Sequence, residues 1–276
     1  MKIIDGKAIA QELRAELKAK IEKSEKKPGL AVVIVGEDPA SKIYVRNKIK
    51  ACEELGVRSY SYELPENATQ GQVEELLKAL ATDSQVDGIL LQMPLPKHLD
   101  TAAAMACIPF EKDVDGFSER NLGMLMLHTE RIVACTPSGV MKILEREEID
   151  VTGKHAVVLG RSDTVGKPMA MLLLNANATV TICHSKTKNL MEVCRSADIL
   201  ISAVGKPKFV TEDMVKEGAV VIDIGMNRDE NGKLCGDVDF ENVKSKTSHI
   251  TPVPGGVGPM TITMLMYNTC LAAFKE

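Results

Sequence analysis

The chain has 276 residues, which is enough for two domains, and it carries a net charge of −4. Neither this charge nor the 3% aromatic content, with no Trp, suits a nucleic-acid surface or an anionic membrane. No apolar run approaches the roughly 20 residues of a membrane span. We therefore expect no nucleic acid and no membrane among the partners.

The N-terminus and the cysteines point to a compartment. The segment MKIIDGKAIA has neither an apolar signal-peptide core nor an Arg-rich transit character. The seven cysteines are dispersed and include no C-x-x-C pair, as is typical of reduced thiols. His and Cys show no spacing suited to metal ligands. These features predict a cytoplasmic protein without a metal site.

Helical and strand patterns alternate in the first half. Amphipathic periodicity predicts a helix from Asp5 to Lys27, and a continuous apolar run predicts a buried strand from Leu30 to Val35. Asp38, Pro39 and Gly56 mark the cap, the first position and the stop of the next helix. The same patterns predict a strand at 59–64, a helix at 70–82, a buried strand at 88–93 and a helix from about 137 to 146.

A second series begins at Gly153. Apolar runs predict parallel strands at 156–159, 179–183, 199–202 and 220–224, with helices between them. We predict an α/β fold with two domains and a cleft between them. Residues 1–138 plus 257–276 form an N-terminal α/β substrate domain in this scheme, and residues 139–256 form a C-terminal Rossmann-like domain.

The first turn of the second series has features of a dinucleotide site. The strand at 156–159 leads into GRSDTVGKPMA, which opens a helix and offers amides at its N-terminus. The spacing departs from G-x-G-x-x-G, since Gly160 and Gly166 remain while Ser162 replaces the middle glycine. A flavodoxin-like turn without this ligand is the alternative.

The end of the second strand indicates which dinucleotide. An NAD site places a carboxylate there, about 20 residues downstream, on the ribose 2′-hydroxyl. Here the segment HSKTK carries hydroxyls and cations but no acid. Arg161, with its planar fork, and Ser185 can together hold a 2′-phosphate. We predict NADP as the cofactor; the alternative is a solvated rim of cations.

A lysine on the helix 39–55 is a candidate for proton transfer. Helical projection places Lys48 in the middle of the apolar arc, while Lys42, Arg46 and Lys50 fall on the opposite arc. A lysine in that position either extends its ammonium to water or is retained for chemistry. Tyr44 lies one turn earlier on the same arc and can position a ligand ring.

Two further polar residues fall where a pocket opens in open α/β sheets. Gln92 stands at the carboxyl end of the strand 88–93. Asp115, in the turn KDVDGF that Gly116 fixes, can accept two donors from a heterocycle. We expect Asp113 to stabilise that turn and Cys135 to pack as a small apolar group rather than act as a nucleophile.

The segment TPVPGGVGPMT, residues 251–261, holds three prolines and three glycines. Proline restricts φ and glycine permits positive φ, so the pattern predicts a loop of defined shape with exposed amides. Thr261 is the predicted N-cap of a helix at 262–273. An ordinary interdomain hinge is the alternative interpretation.

Taken together, these segments resemble the bifunctional methylenetetrahydrofolate dehydrogenase/methenyltetrahydrofolate cyclohydrolase family. The matching segments span nearly the whole chain in order: YVRNKIKACEELG, DGILLQMPLP, KDVDGF, CTPSG, VVLGRSDTVGKPMA, ATVTICHSKT, VIDIGMN, GDVDF and TPVPGGVGPMT. One departure is Ala134, where the family often has proline. The resemblance implies NADP-dependent oxidation of 5,10-methylenetetrahydrofolate, followed by hydrolysis to 10-formyltetrahydrofolate.

The resemblance also implies roles for single residues. Lys48 is the central cyclohydrolase residue, helped by Gln92, while Tyr44 positions the folate and Asp115 binds the pterin. The remaining implied contacts are Pro254, Gly255 and Gly256 with the folate, and Gly160, Arg161, Ser162, Ser185 and Met226 with NADP. A homodimer through the cofactor domains is implied as well. Two alternatives stay open, a dehydrogenase resembling shikimate dehydrogenase and an inactive folate- or nucleotide-binding module.

Overall fold

The computed structural model describes residues 1–274, which form two compact units. The three-stranded unit comprises Glu12–Cys135 and the residues from Ile262 onward, and the six-stranded unit comprises Met1–Gln11 and Thr136–Thr261. The strands are β1 Lys2–Ile3, β2 Gly29–Val35, β3 Arg58–Leu64, β4 Gly88–Leu91, β5 His155–Leu159, β6 Thr179–Cys183, β7 Ile199–Ser202, β8 Ala219–Asp223, β9 Asn227–Arg228, β10 Leu234–Cys235 and β11 Thr247–Ile250. The helices are α1 Gly6–Lys23, α2 Pro39–Leu55, α3 Gln70–Thr82, α4 Thr101–Ala106, α5 Glu119–Met126, α6 Cys135–Arg146, α7 Gly166–Asn175, α8 Leu190–Arg195, α9 Phe240–Val243 and α10 Val257–Ala273.

The three-stranded unit is built around β2. Every residue of β2 is buried, and the strand pairs in parallel with β3 on one side and β4 on the other. Alternate β2 residues contribute to two apolar clusters, as expected for a strand covered on both faces. The central strand therefore holds the start of α2 and the end of β4 at the same edge of the sheet.

The six-stranded unit has the strand order β1-β11-β8-β7-β5-β6, with every pair parallel. The chain leaves β5 for β6 on one side and then returns to β7 on the other, so the strand order reverses at β5. Ligands of open α/β sheets bind beyond the carboxyl ends of the strands at such a reversal. The predicted α/β fold with parallel sheets is confirmed.

The structure adds elements that periodicity does not reveal. β1 has two residues and pairs with β11, so residues 1–11 lie in the six-stranded unit, whereas the predicted first domain included them. α10 begins at Val257, so the prediction of Thr261 as its N-cap is wrong, and Thr261 instead hydrogen-bonds Thr136 through the two hydroxyls. Within residues 1–274, every helix falls short of the length or apolarity that a bilayer crossing requires.

Candidate active site

Helix α2 carries two of the predicted residues at one edge of the three-stranded unit. The Asp38 carboxylate accepts a hydrogen bond from the Ser41 amide at 2.7 Å, which caps the helix, and Gly56 ends it at a φ of +77°. The predicted apolar arc is confirmed for Val45, Ala51, Cys52 and Leu55, which are buried. Lys48 is half-buried beside them. The Tyr44 side chain, one turn earlier, is 39% exposed and so lies at the rim of this face.

Lys48 and Gln92 are brought together. The Lys48 ammonium donates to Gln92 Oε1 at 2.9 Å, and the Gln92 backbone amide donates to the Val33 carbonyl at 2.8 Å. Gln92 Nε2 donates to the Met93 carbonyl at 2.7 Å, so the amide group presents its oxygen to Lys48. Within residues 1–274 this is the one hydrogen bond that the Lys48 ammonium donates. Because an ammonium carries three donors, two are open to a ligand.

The turn that carries Asp115 is stabilised by hydrogen bonds to a buried carboxylate. The Asp113 carboxylate, 1% exposed, accepts from the amides of Gly116 and Ser118 and from Asn121 Nδ2. The prediction that Asp113 stabilises the turn is confirmed. Gly116 has a φ of +73°, and a Cβ there would lie 2.6 Å from the backbone nitrogen of Ala134. Only glycine fits this close approach.

Asp115 stands at the tip of this turn in a poorly solvated position. Desolvation raises the pKa of its carboxyl group to about 6, the nearby Lys48 charge lowers it, and Asp113 raises it further. Although Asp115 keeps some solvent exposure, the protein around the carboxyl group outweighs the attraction of Lys48. Within residues 1–274 the carboxylate has no hydrogen-bond donor, so it remains open to the donors of a ligand.

Asn268, which was not predicted from the sequence, holds the backbone next to Asp115 in place by hydrogen bonds. Its Nδ2 donates to the carbonyls of Val114 at 2.9 Å and Val133 at 2.8 Å. Cys135 lies beside it, with its thiol donating to the Val114 carbonyl, and burial raises the pKa of this thiol well above its ordinary value. The prediction that Cys135 packs as a small apolar group is confirmed. Asn268 carries the one carboxamide side chain of the apolar helix α10, and this is the signal that would have found it.

In the six-stranded unit, the predicted residues follow the carboxyl ends of parallel strands. Gly160 follows β5, Ser185 follows β6, Met226 follows β8 and Pro254 follows β11. Because these strands are parallel, all four residues lie at the same edge of the sheet. A Cβ on Gly160 would lie 2.4 Å from the Ala203 carbonyl oxygen, and one on Gly166 would lie 2.3 Å from that of Gly160. Both glycines are therefore required by the turn itself.

The amides at the start of α7 have partners within the protein. Ser162 Oγ accepts from the amides of Val165 and Gly166, and the Ser162 carbonyl accepts from the amide of Lys167. This corrects the expectation that these helix amides are free for an anionic ligand. Within the described part of the chain, the amides of residues 161–164 have no hydrogen-bond acceptor. The loop before the helix, rather than the helix, offers open donors.

A cavity of about 280 Å³ brings Arg161 and Ser185 together. Its other walls come from the first residue of α8 and from the segment that follows β7, and they include Leu190, Val204 and Phe209. Lys206 also lines it, with its ammonium 5.5 Å from the centre of the Phe209 ring. These wall residues were not predicted from the sequence, although residues 203–206 directly follow the carboxyl end of a predicted strand. Ser162 and Met226 do not line this cavity, and Met226 is 51% exposed.

The Pro-Gly loop is held against the start of α1 within the same unit. The Gly255 carbonyl accepts from the Lys7 amide at 3.1 Å, and the Gly256 amide donates to the Pro252 carbonyl at 2.9 Å. A Cβ on Gly6 would lie 1.9 Å from the Gly256 carbonyl oxygen. The peptide bond before Pro254 is cis. The loop therefore has a defined shape, as its composition predicts.

Comparison with known proteins identifies the family. The profile described as tetrahydrofolate dehydrogenase/cyclohydrolase, catalytic domain, matches residues 4–115, and the NAD(P)-binding domain of the same name matches residues 134–276. The chain belongs to the tetrahydrofolate dehydrogenase/cyclohydrolase family. The resemblance that the motifs indicated is confirmed.

Individual relatives of the family cover nearly the whole chain. The bifunctional protein FolD of Agathobacter rectalis is 54% identical, with 99% of each chain covered. The crystal structure of the bifunctional enzyme FolD from Campylobacter jejuni is 50% identical, covers 99% of this chain and 98% of its own, and has a TM-score of 0.97. A Trypanosoma brucei FolD, solved with NADP cofactor and inhibitor, is 40% identical with 98% and 96% covered and a TM-score of 0.92.

The six-stranded unit fits the dinucleotide that the family profile names. Two glycines remove the Cβ atoms that would close the turn after β5, and the loop at 161–164 has open amides. Arg161 and Ser185 border a cavity with an apolar wall, which suits a phosphorylated ribose next to a flat base. This member of the tetrahydrofolate dehydrogenase/cyclohydrolase family therefore has the residues for an NADP site.

Proposed function

We propose that the chain oxidises 5,10-methylenetetrahydrofolate to 5,10-methenyltetrahydrofolate with NADP⁺ and hydrolyses the product to 10-formyltetrahydrofolate. The observation that carries this proposal is the Lys48–Gln92 hydrogen bond of 2.9 Å beside Asp115. This hydrogen bond brings a proton-transfer group and an orienting amide together at one edge of the sheet. The open carboxylate of Asp115 lies near enough to feel the Lys48 charge. The presence of Tyr44, Lys48, Gln92 and Asp115 together argues against a non-catalytic binding module.

NADP⁺ supplies the acceptor for the hydride that leaves the methylene carbon. We assign to Arg161 and Ser185 the binding of the 2′-phosphate, because a guanidinium and a hydroxyl border the same cavity. Gly160 would leave room for the cofactor at the end of β5, and the amides of the loop that contains Ser162 would bind its phosphates. We place Met226 beside the nicotinamide, since it follows β8 at the same sheet edge.

The second step adds water to the methenyl carbon. We assign to Lys48 Nζ the relay of one proton: its ammonium donates a proton to the ring nitrogen that becomes the leaving group, and the amine that remains takes a proton from the oxygen of the added water. The carbon–nitrogen bond of the ring then breaks, the former water oxygen becomes the formyl oxygen, and one proton is released overall. Gln92 positions the lysine, because its side-chain oxygen is held toward Nζ by the bond from Nε2 to Met93.

The folate contacts follow from the same geometry. We assign to Asp115 the binding of the pterin amino group and ring nitrogen, because its carboxylate is open and would gain two donors. Tyr44, exposed at the rim of the α2 face, is assigned to the pterin ring as a stacking or hydrogen-bonding partner. We assign Pro254, Gly255 and Gly256 to the folate border, and we keep 1–138 plus 257–276 and 139–256 as the functional domains.

We also propose a cytoplasmic homodimer formed through the cofactor domains. Seven free cysteines support a reducing compartment. The edge strand β6 exposes Ile182, and the neighbouring α7 exposes Leu174, with exposed fractions of 37% and 51%. An apolar edge strand is protected when a second copy covers it.

The proposed function is tested with purified protein, 5,10-methylenetetrahydrofolate and either NADP⁺ or NAD⁺. Absorbance follows the reduced cofactor, the appearance of the methenyl compound and its decay. We expect reduction of NADP⁺ with folate and none with shikimate. Turnover of shikimate would favour the other dehydrogenase class, and no turnover of either substrate would favour a binding module.

A further inference from the structure

Asp237 is a buried carboxylate for which the proposed reaction has no role. It lies between β10 and α9, and its side chain is 0% exposed. Its carboxylate accepts five hydrogen bonds, which come from Ser202 Oγ, the amides of Val204, Gly205 and Lys206, and Asn227 Nδ2, at 2.7–3.3 Å. A charge buried this deeply is tolerated because so many donors replace its water.

The donors belong to the two segments that border the cofactor site. Residues 204–206 follow β7, and both Val204 and Lys206 line the cavity that Arg161 and Ser185 share. Asn227 directly follows Met226 and is the first residue of β9. One carboxylate thus joins the turn after β7 to the start of β9, and neither segment belongs to a helix that would otherwise fix it.

The position of Asp237 is itself fixed by its neighbours. Asp223 accepts from the Asp237 amide at 3.0 Å and from the Val238 amide at 2.9 Å. A Cβ on Gly236 would lie 1.8 Å from Asp223 Oδ2, and one on Gly225 would lie 2.3 Å from the Asp237 carboxylate. The absence of a Cβ at Gly236 therefore makes room for the Asp223 carboxylate, and its absence at Gly225 makes room for the Asp237 carboxylate. This close packing leaves little space for another position of Asp237.

We propose that Asp237 is a positioning residue for NADP, which holds the turn at 203–206 in the shape that receives the cofactor. The inference rests on the proposed function for the identity of the cofactor, and the binding step tests it separately. Residues 204–206 present backbone amides inward to Asp237, which directs the Val204 and Lys206 side chains to the cavity. Preorganised walls of this kind lower the cost of binding.

The decisive variant is Asp237→Asn in the full-length protein. The amide has nearly the same volume, but its NH₂ group faces the donors that one carboxylate oxygen had accepted, so at least two hydrogen bonds are lost. We expect the dissociation constant for NADP⁺, measured by calorimetry, to rise at least tenfold. The KM for NADP⁺ should rise by a similar factor, while kcat at saturating NADP⁺ stays near that of the parent. The rate of methenyl hydrolysis, which uses no cofactor, serves as the reference.

Asp198→Asn is the matched control. Asp198 stands before β7, at the opposite end of the same strand, and its carboxylate accepts from the His155 amide at 2.9 Å and from Lys216 Nζ. This variant also loses a carboxylate that accepts a hydrogen bond from a backbone amide, but position 198 does not line the cavity. We expect its dissociation constant for NADP⁺ to match that of the parent protein.

An unchanged dissociation constant in Asp237→Asn, or an equal increase in Asp198→Asn, would overturn the proposal. If Asp237→Asn does not fold, Asn227→Ala decides, since it removes one of the five donors. We expect a threefold or greater rise in its dissociation constant, and no rise would overturn the proposal. If the parent protein binds NADP⁺ in this Asp237-dependent way but does not oxidise the folate, the proposed function fails while this inference stands.

Discussion

Replacing Asp115 with Asn removes a carboxyl group whose ionisation opposes folding. Its pKa is about 6 in the folded protein against an ordinary value of 3.8, a difference of about 2 pH units. At about 1.4 kcal/mol per pH unit, the ionised form costs ~3 kcal/mol. The partial exposure of Asp115 reduces this cost to about 2 kcal/mol. Asp115→Asn should therefore raise the free energy of unfolding at pH 8 by about 2 kcal/mol.

The sign of the pH dependence follows from the raised pKa. Below about pH 4 the carboxyl group is protonated in both the folded and the unfolded protein, so its contribution to stability is fully present. As the pH rises through about 6, the folded protein loses that proton against the desolvation penalty, and the contribution is lost. The gain from Asp115→Asn should thus be near its minimum at pH 4 and reach its full value by pH 8.

Tyrosine fluorescence during urea unfolding measures this gain selectively. The chain has no Trp, and its four tyrosines, at positions 44, 60, 62 and 267, all belong to the three-stranded unit that contains Asp115. Glu111→Gln, which removes an exposed carboxylate four residues earlier, is the matched control. A gain of the same size at pH 4 and pH 8, or a gain that Glu111→Gln reproduces, would refute the reasoning.

Two further predictions concern binding and packing. Arg161→Ala should weaken NADP⁺ binding by about 10- to 100-fold, as expected for a lost charge-assisted hydrogen bond, and should affect NAD⁺ far less; equal loss for both cofactors, measured by calorimetry, would show that Arg161 does not contact the 2′-phosphate. Gly116→Ala should destabilise the three-stranded unit by about 3 kcal/mol, because the new Cβ would lie 2.6 Å from backbone atoms of Val133 and Ala134 at a positive φ. Tyrosine-monitored unfolding checks this, and parent-like stability would mean that the turn relaxes freely.

The sequence predicts the long, strongly patterned elements well. The bounds of α2, α3, β6 and β7 agree with the structure, because caps and apolar runs mark them locally. β1 was missed because a two-residue strand has no period, and its pairing with β11 depends on residues more than 240 positions away. The start of α10 was misplaced because Pro259 and two nearby glycines look like a loop, although a helix tolerates proline in its first turn.

The residues of the candidate site also fall into those that local sequence predicts and those that it does not. Lys48, Gln92 and Asp115 were predicted from their places on a helix face, at a strand end and in a fixed turn, and the structure brings Lys48 to Gln92. Asn268 and Asp237 were missed, because both act on backbone groups that only the folded chain brings near them. Side-chain types predict chemistry, whereas the supports of a site depend on tertiary contacts.

The role of Lys48 is tested most directly by giving Lys48→Met 5,10-methylenetetrahydrofolate and NADP⁺ and following the methenyl compound by absorbance. We predict that this variant folds, reduces NADP⁺ and accumulates the methenyl compound, because the hydride step does not require the ammonium group while the hydrolysis does. Release of 10-formyltetrahydrofolate at the rate of the parent protein would contradict the assignment of proton transfer to Lys48.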